Sequence, residues 1–246
     1  MGNLVVKDNA LIEASHKLSE VEQRLILLAI LKGREFCDSI EQLKDKELII
    51  HASDYMNAFG VDRDASYKSL KKAVLGLFEA KWGYRTINSK GNMEVRYERF
   101  TQSAVYVENE ATVKFMFANA IIPMLVELER NFTSYEIEQV ANLQSRYAMR
   151  LFECLIRFKT SKTLTITLGE LRFRFGLLDT EYKAMGDFKK FVLDLAVKQI
   201  NTNTDLTVSY EQHKQGRTIT GFTFKFKAKP KPKSAKALKD ERDLNT

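Results

Sequence analysis

The sequence predicts an α+β chain made of two tandem winged-helix domains related by internal duplication, and three observations carry that expectation. The first is the stretch 182–226. From Asp187 the residues Phe188, Val192, Leu195 and Ala196 recur at helical steps, which buries one side, while Asp187, Lys190, Phe191, Asp194 and Lys198 fall on the other. The run Asn201–Asp205 breaks the helix, Leu206, Val208 and Tyr210 alternate as a strand, and a second strand, Thr218–Phe226, follows the turn His213-Lys214-Gln215-Gly216. A helix with lysines near its start and a hairpin tipped by Lys214 and Arg217 is the layout in which a helix enters a DNA groove and a wing touches backbone. The second observation is that the order recurs. Leu48-Ile49-Ile50, Phe59-Gly60-Val61, Lys71-Lys72 and Val74-Leu75 match Leu164-Thr165-Ile166, Phe175-Gly176-Leu177, Lys189-Lys190 and Val192-Leu193, at an offset of 116 residues for the first landmark and 118 for the lysine pairs. The third is bulk: 246 residues at 44% hydrophobic content supply two ordinary cores.

Taken in order, Leu4–Ala14 reads as a short strand or extended arm. Ser19-Glu20-Val21-Glu22 has the cap-and-acid pattern of a helix start, and Leu18, Val21, Leu25, Leu28 and Ile30-Leu31 give a core helix ending near Gly33. Glu47–His51 is a strand; Ser53 is expected to cap a small helix, Asp54–Phe59, stopped by Gly60. Asp62-Arg63-Asp64 opens a longer helix with Tyr67, Leu70, Val74, Leu77 and Phe78 on one face and Lys68, Lys71 and Lys72 on the other. Trp82–Ile87 and Met93–Tyr97 flank Asn88–Asn92 as a hairpin with a basic tip, taken as the first wing, and Ala111–Ala118 adds a strand. Ile121, Ile122, Leu125, Val126 and Leu128 suggest a packed connecting helix after Pro123. The domains expected are thus 1–122 and 123–228, with a disordered basic tail over 229–246.

Charge is unevenly spread. Basic and acidic residues number 17 and 17 over 1–122, 16 and 12 over 123–228, and 6 and 3 over 229–246, so the net +7 lies in the second half and tail and suits a polyanionic partner. Lysines on an outer helix face also mark ordinary solvated surface, and it is the repeat of the pattern that favours DNA. Two isolated cysteines, Cys37 and Cys154, point to neither a disulfide framework nor a zinc site. No apolar run approaches a membrane span, and the opening MGNLVVKDN lacks a secretory pattern, so a cytoplasmic location is expected.

Gln144-Ser145-Arg146-Tyr147-Ala148-Met149-Arg150-Leu151-Phe152-Glu153 resembles the Ser-x-Tyr-Ala-x-Arg-Leu-Tyr-Glu helix of the iteron-binding plasmid replication initiators, the RepB-type family with paired winged helices. Val6–Ile12 with Leu18–Leu28 is similar to the family's opening, Tyr182–Asn201 to its recognition helix, and Thr204-Asp205 through Gly216-Arg217 to its wing, so the likeness covers residues 3–228. The resemblance implies a bacterial, plasmid-associated protein that binds direct repeats in an origin, helps open neighbouring AT-rich DNA and brings in the host initiator and replicative helicase. It also implies a monomer–dimer equilibrium in which the dimer represses its own promoter at an inverted repeat. Some relatives carry three consecutive basic residues where this chain has Lys189-Lys190-Phe191, so base preference does not transfer. Tyr147 and Arg150 belong to the motif, and beside Leu151 and Leu155 on an amphipathic helix they are expected to hold the domain together.

An enzyme is not expected. His16, His51 and His213 are scattered singly, where a nicking initiator needs a metal-binding His pair near a nucleophilic Tyr, and Gly216–Gly221 lacks the Lys and Ser/Thr of a phosphate loop. No cofactor or metal is implied. A winged-helix transcriptional repressor without an origin role meets the same residue requirements, and the resemblance favours the initiator. The base-reading candidates are Lys183, Asp187, Lys189, Lys190 and Asp194; the phosphate candidates are Lys68, Lys71, Lys72, Lys214 and Arg217. The first domain is expected to contact backbone and, as the family's dimers imply, to carry the dimer contact through Val113, Lys114, Phe115, Met116 and Phe117, on the premise that this alternating strand has an open edge, with the Leu18–Leu28 helix the next candidate.

Overall fold

A computed structural model describes residues 3–36, 39–125 and 131–230. Strand β1 (Leu4–Asp8) gives way at once to helix α1 (Asn9–Glu13). The short strand expected is present, but it ends at Asp8, which accepts a bond from the Ala10 N–H and caps a helix over the rest of the segment read as strand or extended arm. After β2 (Ser15–His16), helix α2 (Glu20–Phe36) starts with a reciprocal cap: Glu22 accepts from the Ser19 N–H at 2.7 Å and Ser19 Oγ from the Glu22 N–H at 3.3 Å. It runs past Gly33, which packs on Leu43 at the end of α3 (Ile40–Leu43).

Next come β3 (Leu48–His51), α4 (Ala52–Phe59) and α5 (Arg63–Glu79). Helix α4 begins one residue before Ser53, with Asp54 accepting from the His51 N–H, and ends on Gly60 at φ 62°. Only a residue tolerant of the left-handed region closes a helix this way. Asp62 caps α5 through the Ala65 N–H at 2.9 Å, as its sequence pattern requires.

Four strands follow: β4 (Lys81–Ile87), β5 (Met93–Arg99), β6 (Thr101–Val107) and β7 (Thr112–Phe117). The sheets are ordered β2-β4-β5 and β3-β7-β6. Two expectations are corrected here. The partner of β3 is β7, so the hairpin equivalent to a wing is β6–β7, with the acidic turn Glu108–Ala111, and the basic-tipped β4–β5 hairpin lies in a separate sheet. Strand β7 is also central: its ladder is closed on both sides, and Val113, Phe115 and Phe117 are buried. Val113, Lys114 and Phe115 are therefore paired on both sides and offer no open edge to a second chain, while Met116 and Phe117, beyond the end of β3, pair with β6 alone.

Of the expected connecting helix, the described residues hold one 3-10 turn, Ile122–Met124; Val126 and Leu128 lie outside them. Strand β8 (Phe132–Glu136) pairs back with β1, so a two-stranded sheet straddles the expected border at 122/123. After α6 (Glu138–Ala141) and α7 (Arg146–Ile156) comes the second unit. It comprises β9 (Thr163–Thr167), α8 (Leu168–Arg174), a long helix over 185–203, β10 (Leu206–Gln215) and β11 (Thr218–Ala228), with sheet order β10-β11-β9. Here β9 pairs with the wing strand β11 itself, the winged-helix arrangement. Gly221 permits that approach, since a Cβ would meet the Ile166 carbonyl oxygen at 2.6 Å.

One continuous apolar cluster links both halves, from Val5 and Leu25 through Phe115 and Phe152 to Phe188 and Phe224. Of the tail, Lys229 is held rather than loose: its Nζ donates to the carbonyls of Asn201 and Thr204 at 2.6 and 2.7 Å, a cation on the C-terminal end of the long helix. Residues 231–246 of the expected disordered tail lie outside the described residues.

Candidate nucleic-acid interface

The long helix of the second unit is built of three pieces: α9 (Met185–Phe188), a π-helical segment (Lys189–Asp194) and α10 (Leu195–Asn203). The π segment changes which residues face the core. Phe188, Val192, Leu193, Ala196 and Ile200 are buried, so the inward positions Phe188 and Leu193 stand five apart. Leu195, expected inside, is turned out with 39% exposure. The inserted residue of the wider turn produces this shift, and such turns often mark functional helices. Outward along the helix lie Asp187, Lys190, Phe191, Asp194, Leu195 and Lys198.

The base-reading candidates divide on this geometry. Lys183, just before the helix, Asp187 and Lys190 are exposed. Lys190 Nζ stands 5.0 Å from the centroid of the Phe191 ring. Lys189 is half-buried and donates to Gln212 of β10 at 3.2 Å, tying helix to wing. Asp194 accepts from the Tyr210 hydroxyl at 2.6 Å, and the Tyr210 pKa is raised by burial and then by Asp194. Asp194 is thus engaged by the wing strand and ties helix to hairpin through one of its carboxylate oxygens. Sequence reasoning put Phe191 on the outer face without treating it as a contact, and placed Leu195 inside. Phe191 was legible from its step of four after Asp187; Leu195 was hidden because the π turn has no sequence signature.

At the wing, the turn is Gly216-Arg217, with Gly216 at φ 61°, two residues beyond the centre expected. His213 sits in strand β10, where its Nε2 pairs with Thr223 Oγ1 at 2.8 Å, next to a register shift between His213 and Lys214. Lys214 and Arg217 are exposed at the tip of the hairpin.

In the first half Lys68, Lys71 and Lys72 are exposed on α5. Lys71 is committed locally, 3.2 Å from Glu108 of the β6–β7 turn and 4.7 Å from the Tyr106 ring centroid. A surface pair of this kind is worth little in water, but it offsets the charge offered to DNA.

Arg150 is 3% exposed and cannot reach a ligand. Its guanidinium donates to the carbonyls of Ile12, Ala14 and Arg174 at 2.8, 2.8 and 3.2 Å, and to Glu153 at 3.1 Å. Glu153 also accepts from Lys7 and from the Tyr135 hydroxyl, both at 2.6 Å. Burial pushes the Glu153 carboxyl up, but Lys7 and Arg150 more than reverse this and it stays below the usual range. The motif helix is therefore a buried clamp joining α1, α7, α8 and the β1–β8 sheet. Among the described residues no group of His, Cys, Asp and Glu is arranged to hold a metal, and no helix is long and apolar enough to cross a membrane.

Two family models match: "Initiator Replication protein, WH1" over residues 4–156 and "Initiator Rep protein, WH2" over 167–226. An Escherichia coli "Replication initiation protein" is 25% identical over 223 residues, covering 88% of this chain and 67% of the relative. An "Uncharacterized 27.6 kDa protein" of Escherichia coli is 25% identical over 219 residues, covering 87% of this chain and 91% of the relative. Among solved structures, the Pi initiator protein in complex with iteron DNA superposes with a TM-score of 0.74 at 18% identity, covering 93% of this chain and 98% of that one, which shows the shared fold.

Proposed function

As the chain belongs to the Initiator Replication protein family, with a winged helix in each half, we propose that it binds iterons, short direct repeats in a plasmid origin, as double-stranded DNA. The observation that carries this reading is the second winged helix: an outward helix stripe with Asp187 and Lys190 exposed beside a wing tip of Lys214 and Arg217. In this reading the helix reads base edges and the tip neutralises phosphates. The first unit grips backbone, with less charge to give, because its equivalent of a wing ends in Glu108 and Glu110. Family membership supports the further steps: opening of AT-rich DNA, recruitment of the host initiator and replicative helicase, and repression of its own promoter as a dimer, in the cytoplasm and without catalysis by this chain.

Self-association uses β5, an edge strand that exposes Met93, Val95 and Tyr97. Light scattering of Val95→Lys should then show loss of dimer; an unchanged mass would place the contact elsewhere.

The primary test is a footprint of the full chain on DNA flanking its gene. Tandem protected blocks at a helical repeat are the expected result, and uniform weak binding would overturn the reading. Maintenance of a replicon that depends on this gene separates an initiator from a repressor, since a repressor would protect DNA without sustaining the replicon.

A further inference from the structure

Phe191 occupies the middle of the outward stripe, with Lys190 before it and Asp194 and Leu195 one turn on, and it is 45% exposed. A solvated face does not require a large aromatic ring there, yet the ring is held in place. Phe175, buried in the core, stands 5.8 Å from Tyr147, Tyr147 stands 6.1 Å from Tyr182, and Tyr182 stands 6.5 Å from Phe191, measured between ring centroids. This column of rings runs from the core to the helix surface and limits the positions the terminal ring can take. The π segment turns Leu195 out beside it, so an apolar pair sits between the cations Lys190 and Lys198.

In the major groove one base edge carries an apolar group, the 5-methyl of thymine, and a Phe side chain is among its partners. We propose that Phe191, with Leu195 beside it, reads a thymine methyl in the DNA bound by the second winged helix. The inference rests on helix 185–203 being the base-reading helix, and it adds to that reading the chemistry of one position. The cation–π contact at 5.0 Å then has a role in recognition: Lys190 is held alongside the ring, so the two side chains address neighbouring positions in the same groove.

The experiment begins with selection of a preferred duplex by the full wild-type chain from a randomised pool. Each thymine of that duplex is then replaced singly by uracil, which lacks only the methyl, and affinity is measured by fluorescence anisotropy. One position should bind roughly fourfold more weakly, as expected for loss of one buried methyl. Phe191→Ala should bind thymine and uracil equally at that position, and Phe191→Leu should retain part of the difference, with circular dichroism confirming fold. A wild-type chain indifferent to uracil at every position, or a folded Phe191→Ala that keeps the difference, overturns the proposal, leaving Phe191 as a protein-docking or purely structural residue. A pool that yields no preferred sequence instead overturns the DNA-reading function on which it rests.

Discussion

Replacing Arg150 should cost stability without touching DNA affinity at the level of charge. Arg150→Met keeps much of the volume but withdraws the guanidinium from the carbonyls of Ile12, Ala14 and Arg174 and from Glu153, in a site where water has little access. Breaking a buried ion pair by removing one partner costs about 3–5 kcal/mol. Glu153 retains Lys7 and the Tyr135 hydroxyl, which limits its loss, whereas the stranded carbonyls add to it. We expect a total of about 4 kcal/mol, and about 2 kcal/mol for Arg150→Lys, whose single ammonium keeps the charge but cannot span all four acceptors. With a urea slope near 3 kcal/mol per molar, the larger loss lowers the midpoint by more than about 1 M. Urea unfolding followed by far-UV circular dichroism measures both variants. The salt dependence of DNA binding by Arg150→Met, measured without urea where it is folded, should match wild type. A cost below about 1 kcal/mol for Arg150→Met would refute the clamp, and a salt slope flattened by about one unit in the folded variant would make Arg150 a DNA-contacting residue.

Three further outcomes are expected. Lys190→Ala should weaken binding to the preferred repeat by about 1–3 kcal/mol and relax preference at one position, while equal loss on unrelated duplex would reduce Lys190 to a phosphate contact. Removing Lys214 and Arg217 together should flatten the slope of log affinity against log salt by about two units, whereas Lys71 and Lys72 together should flatten it by about one, because Lys71 is already paired with Glu108. His16 is held well below its usual pKa by burial first and then by Arg150, Lys7 and Arg146. The unfolded chain thus takes up a proton that the folded chain refuses: stability is level above about pH 6.5 and falls by up to about 1.4 kcal/mol per unit as pH drops below it. His16→Gln should remove the fall between about pH 6.5 and 5, and an unchanged profile in urea titrations would refute the assignment.

Local chemistry explains what could be read in advance. Asp62, Gly60 and the Ser19–Glu22 pair act within one turn of chain, so the starts of α2 and α5 and the end of α4 follow from residue type alone. What escaped depends on partners distant in sequence. No property of Trp82–Tyr97 reveals that β3 will pair with β7, so the basic hairpin was mistaken for a wing and the true counterpart, with Glu108 at its turn, was overlooked. Strand β7 alternates as an edge strand would, and alternation reports a buried face without reporting how many neighbours the ladder has. Within the candidate site, the exposure of Lys190, Lys214 and Arg217 follows from periodicity and turn placement, whereas the bond from Tyr210 to Asp194 does not, because the two lie on different elements.

The duplicated units have diverged in charge while being locked in position, and the two facts bear on one another. Arg85 of β4 crosses to α8, 2.7 Å from Glu170 and 3.9 Å from the Phe173 ring centroid, while Lys17 reaches Glu181 at 2.8 Å. Gly176, at φ 61°, lies so close to His16 that a Cβ would collide with its backbone carbonyl, and Glu13 is shared by Arg157 and Arg174. The β4–β5 hairpin is thus tied to the second unit through Arg85, and the first half, with basic residues at Lys90 and on α5, carries no net positive charge. On the proposed reading, rigid linkage offsets that weakness: once the second helix engages a repeat, the first unit would meet the neighbouring backbone at a fixed orientation, without the entropy cost of an independent encounter, so a few phosphate contacts from α5 would extend the site. On that reading the hairpin β4–β5 and the buried Arg150 cluster would contribute to recognition through the geometry they impose rather than through a group offered to a base.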